Sequence, residues 1–198
     1  MMTIDVKPAA ELGESYRRRI AEVFVDGFGP DFAFFSKDPR TLTAAFAHTL
    51  VLDLFHVALV DGEPAAIAAC TNGRQRSVRC NPAELREHLG LFKGTAATVT
   101  FQRMFREAFP EPRNGVASIE FVAAASEFRG RGIAKALLEH ILALPQYREY
   151  LLEEVSDINE PALRLYEKLG FREYKRRKVH HTRWSGINHY VSLRLTQN

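Results

Sequence analysis

Apolar residues recur along this chain at two spacings, and the places where the spacing changes mark out its elements. Between Glu11 and Asp26, Ile20, Val23 and Phe24 fall on one face and Arg17, Arg18 and Arg19 largely on the other, which is the period of an amphipathic helix. Gly27 and Gly29-Pro30 are placed to stop it. Asp38-Pro39 predicts a second helix running to about Leu50, with Pro39 suited to a first helical position. Residues 3–6 fit a short strand. Phe55 to Val60 and Pro64 to Thr71 are strand-like runs joined by Asp61-Gly62, a hairpin signal. Asn81-Pro82 opens a helix that ends near Gly90, and Thr95 to Phe109 predicts a longer one closed by Pro110 and Pro112. Val116 to Ala123, apolar and partly β-branched, reads as a central strand.

From there the pattern is regular. Ile133, Leu137, Ile141 and Leu144 carry a helix over Arg131 to Leu144. Tyr150 to Val155 is a strand. Asn159 to Leu169 is a helix with Pro161 in its first turn and Gly170 at its C-terminal cap. Phe171 to Val179 and Ile187 to Leu195 are two last strands joined through Trp184-Ser185-Gly186. The second half therefore reads β-α-β-α-β-β, an α/β (α+β layered) domain with a mixed sheet.

Composition narrows the setting. With 198 residues, 46% hydrophobic and 26% charged, the chain suits one globular domain spanning 1–198. Its net charge of +3 is too small to argue for nucleic acid or an anionic membrane as partner. Met1 to Ala10 contains Asp5 and Lys7 and no long apolar run, so no secretory leader is expected, and no apolar stretch is long enough to span a bilayer. Cys70 and Cys80 do not make a disulfide framework and have no metal-type spacing, so free thiols in the cytoplasm are the expectation. Arg172, Lys175, Arg176, Arg177, Lys178 and Arg183 form a basic run with His180 and His181. Such a run on a hairpin is ordinarily a solvated edge that discourages strand pairing, and the two histidines lack a third metal ligand.

The segment Glu127-Phe128-Arg129-Gly130-Arg131-Gly132-Ile133-Ala134 links a strand to a helix. Two glycines allow a tight bend and close approach of a ligand. The helix behind them offers unpaired N–H groups and the positive end of its dipole, an anion site for a phosphate or pyrophosphate. Arg129 and Arg131 can add charge. A plain Gly-rich turn explains the segment too. A dinucleotide fingerprint fits less well, because Lys135 occupies its third glycine place and the strand ends several residues before Gly130. A P-loop is excluded by the absence of Gly-Lys-Ser/Thr.

One strand further on stand Asn159-Glu160-Pro161-Ala162 and Leu165-Tyr166-Glu167-Lys168-Leu169-Gly170-Phe171. Together the two motifs resemble the GNAT superfamily of N-acyltransferases. That family's Arg/Gln-x-x-Gly-x-Gly/Ala signature is matched by Arg129, Gly132 and Ala134, and Asn188 to Leu193 looks like its closing strand. The resemblance covers about residues 116 to 195. Residues 81–112 look like a two-helix insertion before the central strand, and Ser126 stands where family sequences often have Pro.

The resemblance implies a GNAT-like mixed sheet, splayed between Val116–Ala123 and Tyr150–Val155, with the pantetheine arm of acetyl-CoA between those strands. It implies binding by backbone groups at Val122 and Ala124, by the turn Arg129, Gly130, Arg131, Gly132, Ile133 and Ala134, and by Asn159. Asn159 is equally well explained as a helix cap. Tyr166 is implied as the general acid for the leaving thiolate; the alternative is a packed aromatic sharing a face with Ala162, Leu163 and Leu169. Glu120, a carboxylate within an apolar strand, is implied as the base that deprotonates the amine, with Glu153 or Glu154 as alternatives of which alternation lets only one face the site. Phe28, Phe32, Phe34 and Phe35 line an acceptor pocket or belong to the core. The implied reaction is acetyl transfer to a primary amine of a small molecule or peptide. It needs no metal and no nucleic-acid or membrane partner, and a homodimer is compatible with it. The alternative is a non-catalytic module that binds coenzyme A or acyl-CoA.

Overall fold

The structure is a computed structural model and describes residues 3–107, 113–179 and 186–197, with side chains from 103 to 107 left aside. Seven strands make one sheet: β1 (Ile4–Pro8), β2 (Phe55–Val60), β3 (Glu63–Thr71), β4 (Val116–Ala124), β5 (Glu149–Ser156), β6 (Arg172–Lys178) and β7 (His189–Thr196). Their order is β1-β2-β3-β4-β5-β7-β6. The β4–β5 pair is parallel and the other pairs are antiparallel. The helices are α1 (Ala9–Leu12), α2 (Arg17–Phe28), α3 (Pro39–Ala47), α4 (Pro82–Leu89), α5 (Leu91–Glu107), α6 (Ile133–Leu142) and α7 (Glu160–Lys168). This is the mixed, helix-flanked α/β sheet that the patterning implied.

The sheet separates two cores. On one face Ile20, Phe24, Phe32, Leu42, Phe46, Leu85 and Phe101 pack against Val57, Ile67, Ala69 and Ala123. On the other, Ile133, Leu137, Leu138 and Ile141 of α6, with Tyr166 and Phe171, pack against Ala66, Ala68, Ile119, Tyr150, Leu152 and Val191. Leu85, Ala97 and Phe101 place the helices α4 and α5 inside the first core rather than on its surface. Phe101 lies 5.1 Å from Phe46 and 5.4 Å from Phe32 between ring centroids. Pro110, Pro112, Trp184 and Ser185 lie outside the described residues.

Three glycines, Gly13, Gly27 and Gly94, shape the helices in ways the patterning does not predict. The first predicted helix is broken at Gly13, with φ 74°, into α1 and α2. Gly27 does not stop α2 but lies within it, facing β4, where a Cβ would come 2.6 Å from the Ala123 Cβ. Gly94 likewise lets α5, which starts at Leu91 and not at Thr95, touch the Arg86 backbone of α4. In both places the missing side chain allows two backbones to approach.

Gly27→Ala is therefore expected to lower stability by about 1–3 kcal/mol in urea denaturation, although alanine is the better helix former, and Gly27→Ala with Ala123→Gly should recover most of the loss. A second expectation concerns pH. His56 of β2 has a buried Nδ1 with no partner among the described residues and faces His140 of α6, ring centroids 5.7 Å apart. Burial, reinforced by His140, lowers its pKa from 6.5 to about 4. The unfolded chain then binds the proton first, so stability is full above pH 6.5 and is lost as the pH falls toward 4, by on the order of 2–3 kcal/mol. His56→Gln should flatten the thermal-melt profile across that window.

Candidate active site

β4 and β5 touch over three residue pairs only, Val116–Glu149, Ala117–Tyr150 and Ser118–Leu151. Beyond Ser118, β4 runs on to Ala124 paired with β3, and β5 runs on to Ser156 paired with β7. Each carries a bulge just past the last shared pair. The β3–β4 register shifts between Ile67 and Ala69 with Phe121 at φ 52°, and the β5–β7 register shifts between Leu152 and Val155 with Glu154 at φ 54°. An extra residue bends the strand that holds it, so two bulges at the same level hold the strands apart. The walls of the resulting slot are main chain. The Ala125 amide donates to the Ala65 carbonyl (2.9 Å), so strand alternation turns the Ala124 N–H away from β3, to the side of the slot. Val122 flanks the bulge, and its side chain packs on the α6 side of the sheet.

The chain then turns through Ser126–Phe128 into Gly130 (φ 75°) and Gly132 (φ 79°), and α6 begins at Ile133. Only glycine takes this left-handed conformation without strain. No side chain caps the helix, and among the described residues the amides of Gly130, Arg131, Gly132, Ile133, Ala134 and Lys135 make no hydrogen bond. The buried Ile133 side chain anchors the turn in the core. Six free amides at the positive end of a ten-residue helix make an anion site of main chain. Asp26, at the end of α2, steadies the approach by accepting a hydrogen bond from the Ser126 amide. Arg129 is committed to the same support. Its guanidinium donates to the Ala124 carbonyl and the Asp26 carbonyl, each at 3.1 Å, so its charge is turned away from the amides. Arg131 stays on the turn, 5.8 Å over the Phe128 ring.

Tyr166 is 5% exposed and packs edge-on against Phe171, centroids 6.1 Å apart. Its ring belongs to the second core, and its hydroxyl makes no hydrogen bond among the described residues. Burial keeps the phenol pKa well above the usual tyrosine value. Glu120 lies two residues past the last β4–β5 pair. Burial raises its pKa, and the Ser77 hydroxyl, which donates a hydrogen bond to it, opposes the rise together with Ser118. Ser77 stands in the loop after β3, where nothing in the sequence marks it as part of a site.

The acetyltransferase (GNAT) family model matches residues 20–171. The chain belongs to the GNAT family. A Pseudomonas phage PaMx11 protein, 5-NmdU N-acetyltransferase, is 41% identical over 51 residues, 26% of this chain and 36% of that protein, so the match spans about a third of that relative. In fold the chain is similar to a histone acetyltransferase HPA2 and related acetyltransferase from Corynebacterium glutamicum, at TM-score 0.60, 21% identity, 100% of this chain and 98% of the other. It is also similar to a chain of the NatC complex solved with Gag peptide and CoA, at TM-score 0.55, 19% identity and full coverage of both chains.

With the family established, the remaining expected positions can be located. Asn159 caps α7, its side chain accepting from the Ala162 amide at 3.3 Å. Strand alternation fails at Glu153 and Glu154, because the bulge intervenes and both carboxylates bond to β6. Glu153 accepts from the Tyr174 hydroxyl and Glu154 pairs with Arg177 at 2.7 Å. Phe32 and Phe35 are core and Phe28 packs against Phe121, whereas Phe34 is 74% exposed. The basic strand β6 is exposed throughout; His180, His181 and Arg183 lie outside the described residues. Among the described residues no three potential ligands gather for a metal and no helix is long and apolar enough to cross a membrane. If the amides after Gly130 hold the pyrophosphate, Ala134→Glu, which sets a carboxylate among them, should raise the Kd for acetyl-CoA at least tenfold by calorimetry with little change in Tm.

Proposed function

We propose that this domain, residues 1–198, transfers the acetyl group of acetyl-CoA to a primary amine, with Glu120 as base and Tyr166 as acid. The observation that carries the reading is the slot between β4 and β5 leading to unpaired amides at the start of α6. A pantetheine arm is itself amide-bearing and extended, so a strand edge suits it, and a pyrophosphate suits a bare helix N-terminus. Acetyl-CoA supplies an activated thioester. The Ala124 N–H faces the slot and stabilises negative charge on the carbonyl oxygen. Glu120, past the point where the strands part, accepts the proton of the incoming ammonium directly or through water. Tyr166, protonated, donates to the sulfur as the thiolate leaves. Burial holds the phenol protonated until the thiolate forms beside it. Arg131 and the amides from Gly130 to Ala134 hold the diphosphate, and Asn159 borders the site while capping α7. The two free thiols, Cys70 and Cys80, suit a reducing cytoplasm.

The test is release of free thiol from acetyl-CoA with a panel of amines: polyamines, amino acids, a peptide amino terminus, and 5-NmdU because the phage relative is named for it. Tyr166→Phe is expected to lower kcat about 10²–10³-fold and leave the acetyl-CoA Kd within twofold. Tight binding with no thiol release from any amine would favour a non-catalytic coenzyme-binding module.

A further inference from the structure

Glu120 sits in surroundings that ought to neutralise it. It lies on a central strand opposite Ala69, largely buried, and desolvation favours its protonated form. A base that must take a proton from an ammonium has to be charged and has to point into the slot. What supplies both is a strap formed by residues 72–80, between β3 and α4. The strap starts in a tight turn, where the Thr71 hydroxyl donates to the Gln75 carbonyl (2.6 Å) and accepts from the Gly73 amide (3.2 Å). It is then sewn to the loop after α3. The Val51 amide donates to the Ser77 carbonyl at 2.9 Å, the Arg79 amide donates to the Thr49 carbonyl at 2.7 Å, and Leu50 bridges Val78. Ser77 is fully buried between these attachments, and its hydroxyl donates to the Glu120 carboxylate. A second hydroxyl, Ser118 of β4, also favours the charged form of this group.

We propose that Ser77 is a positioning residue for the catalytic base: the strap holds its hydroxyl against one carboxylate oxygen of Glu120, and so fixes the direction in which the other presents itself to the amine. This rests on Glu120 being the base. A hydroxyl that donates to a carboxylate stabilises the charged form, so Ser77 opposes the effect of burial. Among the described residues the titratable group that interacts with Glu120 is the Cys70 thiol of β3, which burial holds neutral, its pKa pushed up to about 12. Ser77 and Ser118 are therefore the groups that oppose the effect of burial on the base.

The experiment uses the full chain with Ser77→Ala, Ser77→Thr and Glu120→Gln. Carboxyl titration is followed by ¹³C NMR on protein labelled at glutamate, the Glu120 signal being the one lost in Glu120→Gln. The pH profile of kcat/KM is measured by thiol release with acetyl-CoA and the fastest amine of the panel. Removing the donor raises the carboxyl midpoint, so in Ser77→Ala the Glu120 signal and the acidic limb of kcat/KM should both move up, by about one pH unit. Activity below the limb should fall about tenfold while the acetyl-CoA Kd stays within twofold. Ser77→Thr, which keeps the hydroxyl, should restore both midpoints, and it serves alone if Ser77→Ala does not fold, a shifted midpoint in Ser77→Thr then overturning the role. An acidic limb that Ser77→Ala leaves in place, in an enzyme that needs Glu120, overturns the positioning role alone. Undiminished turnover by Glu120→Gln removes the base assignment beneath it, whatever Ser77 does.

Discussion

The site depends on a failure of pairing. Two parallel strands in the middle of a sheet would normally bond along their whole length, because buried peptide groups without partners are costly. Here β4 and β5 stop at Ser118 and Leu151, and the bulges at Phe121 and Glu154 hold them apart. The peptide groups left on the two edges are what a chain-like, amide-containing ligand can complete. The unpaired amides that begin at Gly130 extend the same arrangement around the corner into α6. The lining of the slot and of the turn is main chain almost throughout.

Holding such a slot open requires firm walls, and both cores serve that end. On one side α2 is pressed so closely onto β4 that Gly27 meets Ala123 with no room for a side chain, and the last turn of the helix delivers Asp26 to the Ser126 amide. Arg129 ties the Ala124 carbonyl to the Asp26 carbonyl, so one wall of the slot, the end of α2 and the entry to the anion turn move as one piece. On the other side Ile133 and Leu137 plug α6 into the second core, and the Tyr150 hydroxyl donates to the Ile141 carbonyl at 2.9 Å. Phe121, strained at positive φ, is clamped among Phe24, Phe28 and Phe55, which maintains the bulge beneath it. The same core encloses the helix pair α4–α5, so that the segment between β3 and β4 supports the wall instead of hanging from it.

Much of this was legible in the order of residues, because local rules govern it. Helix and strand periods placed the elements within a few residues, since one buried face per element imposes them. The glycines at 130 and 132 announced a left-handed turn into a helix, and the Tyr166 motif placed a phenol one strand away. Asn159 at the head of α7 was readable as a cap, because capping involves only neighbours in sequence.

What only the tertiary structure decided are the long-range pairings. No local pattern distinguishes a glycine that ends a helix from one that lets it touch a strand, so Gly27 was misread as a stop; its reason lies in Ala123, far along the chain. Arg129 lies in the phosphate motif, yet its charge goes to Asp26, a partner 103 residues away. Alternation assigned Glu153 and Glu154 to opposite faces because a bulge depends on the partner strand's register. Ser77 could not be found at all, since a serine in a loop has no signature until folding sets it against Glu120. Sequence dictates what each segment can become on its own; contact between distant segments, driven by burying apolar faces and satisfying buried polar atoms, decides which side chains meet.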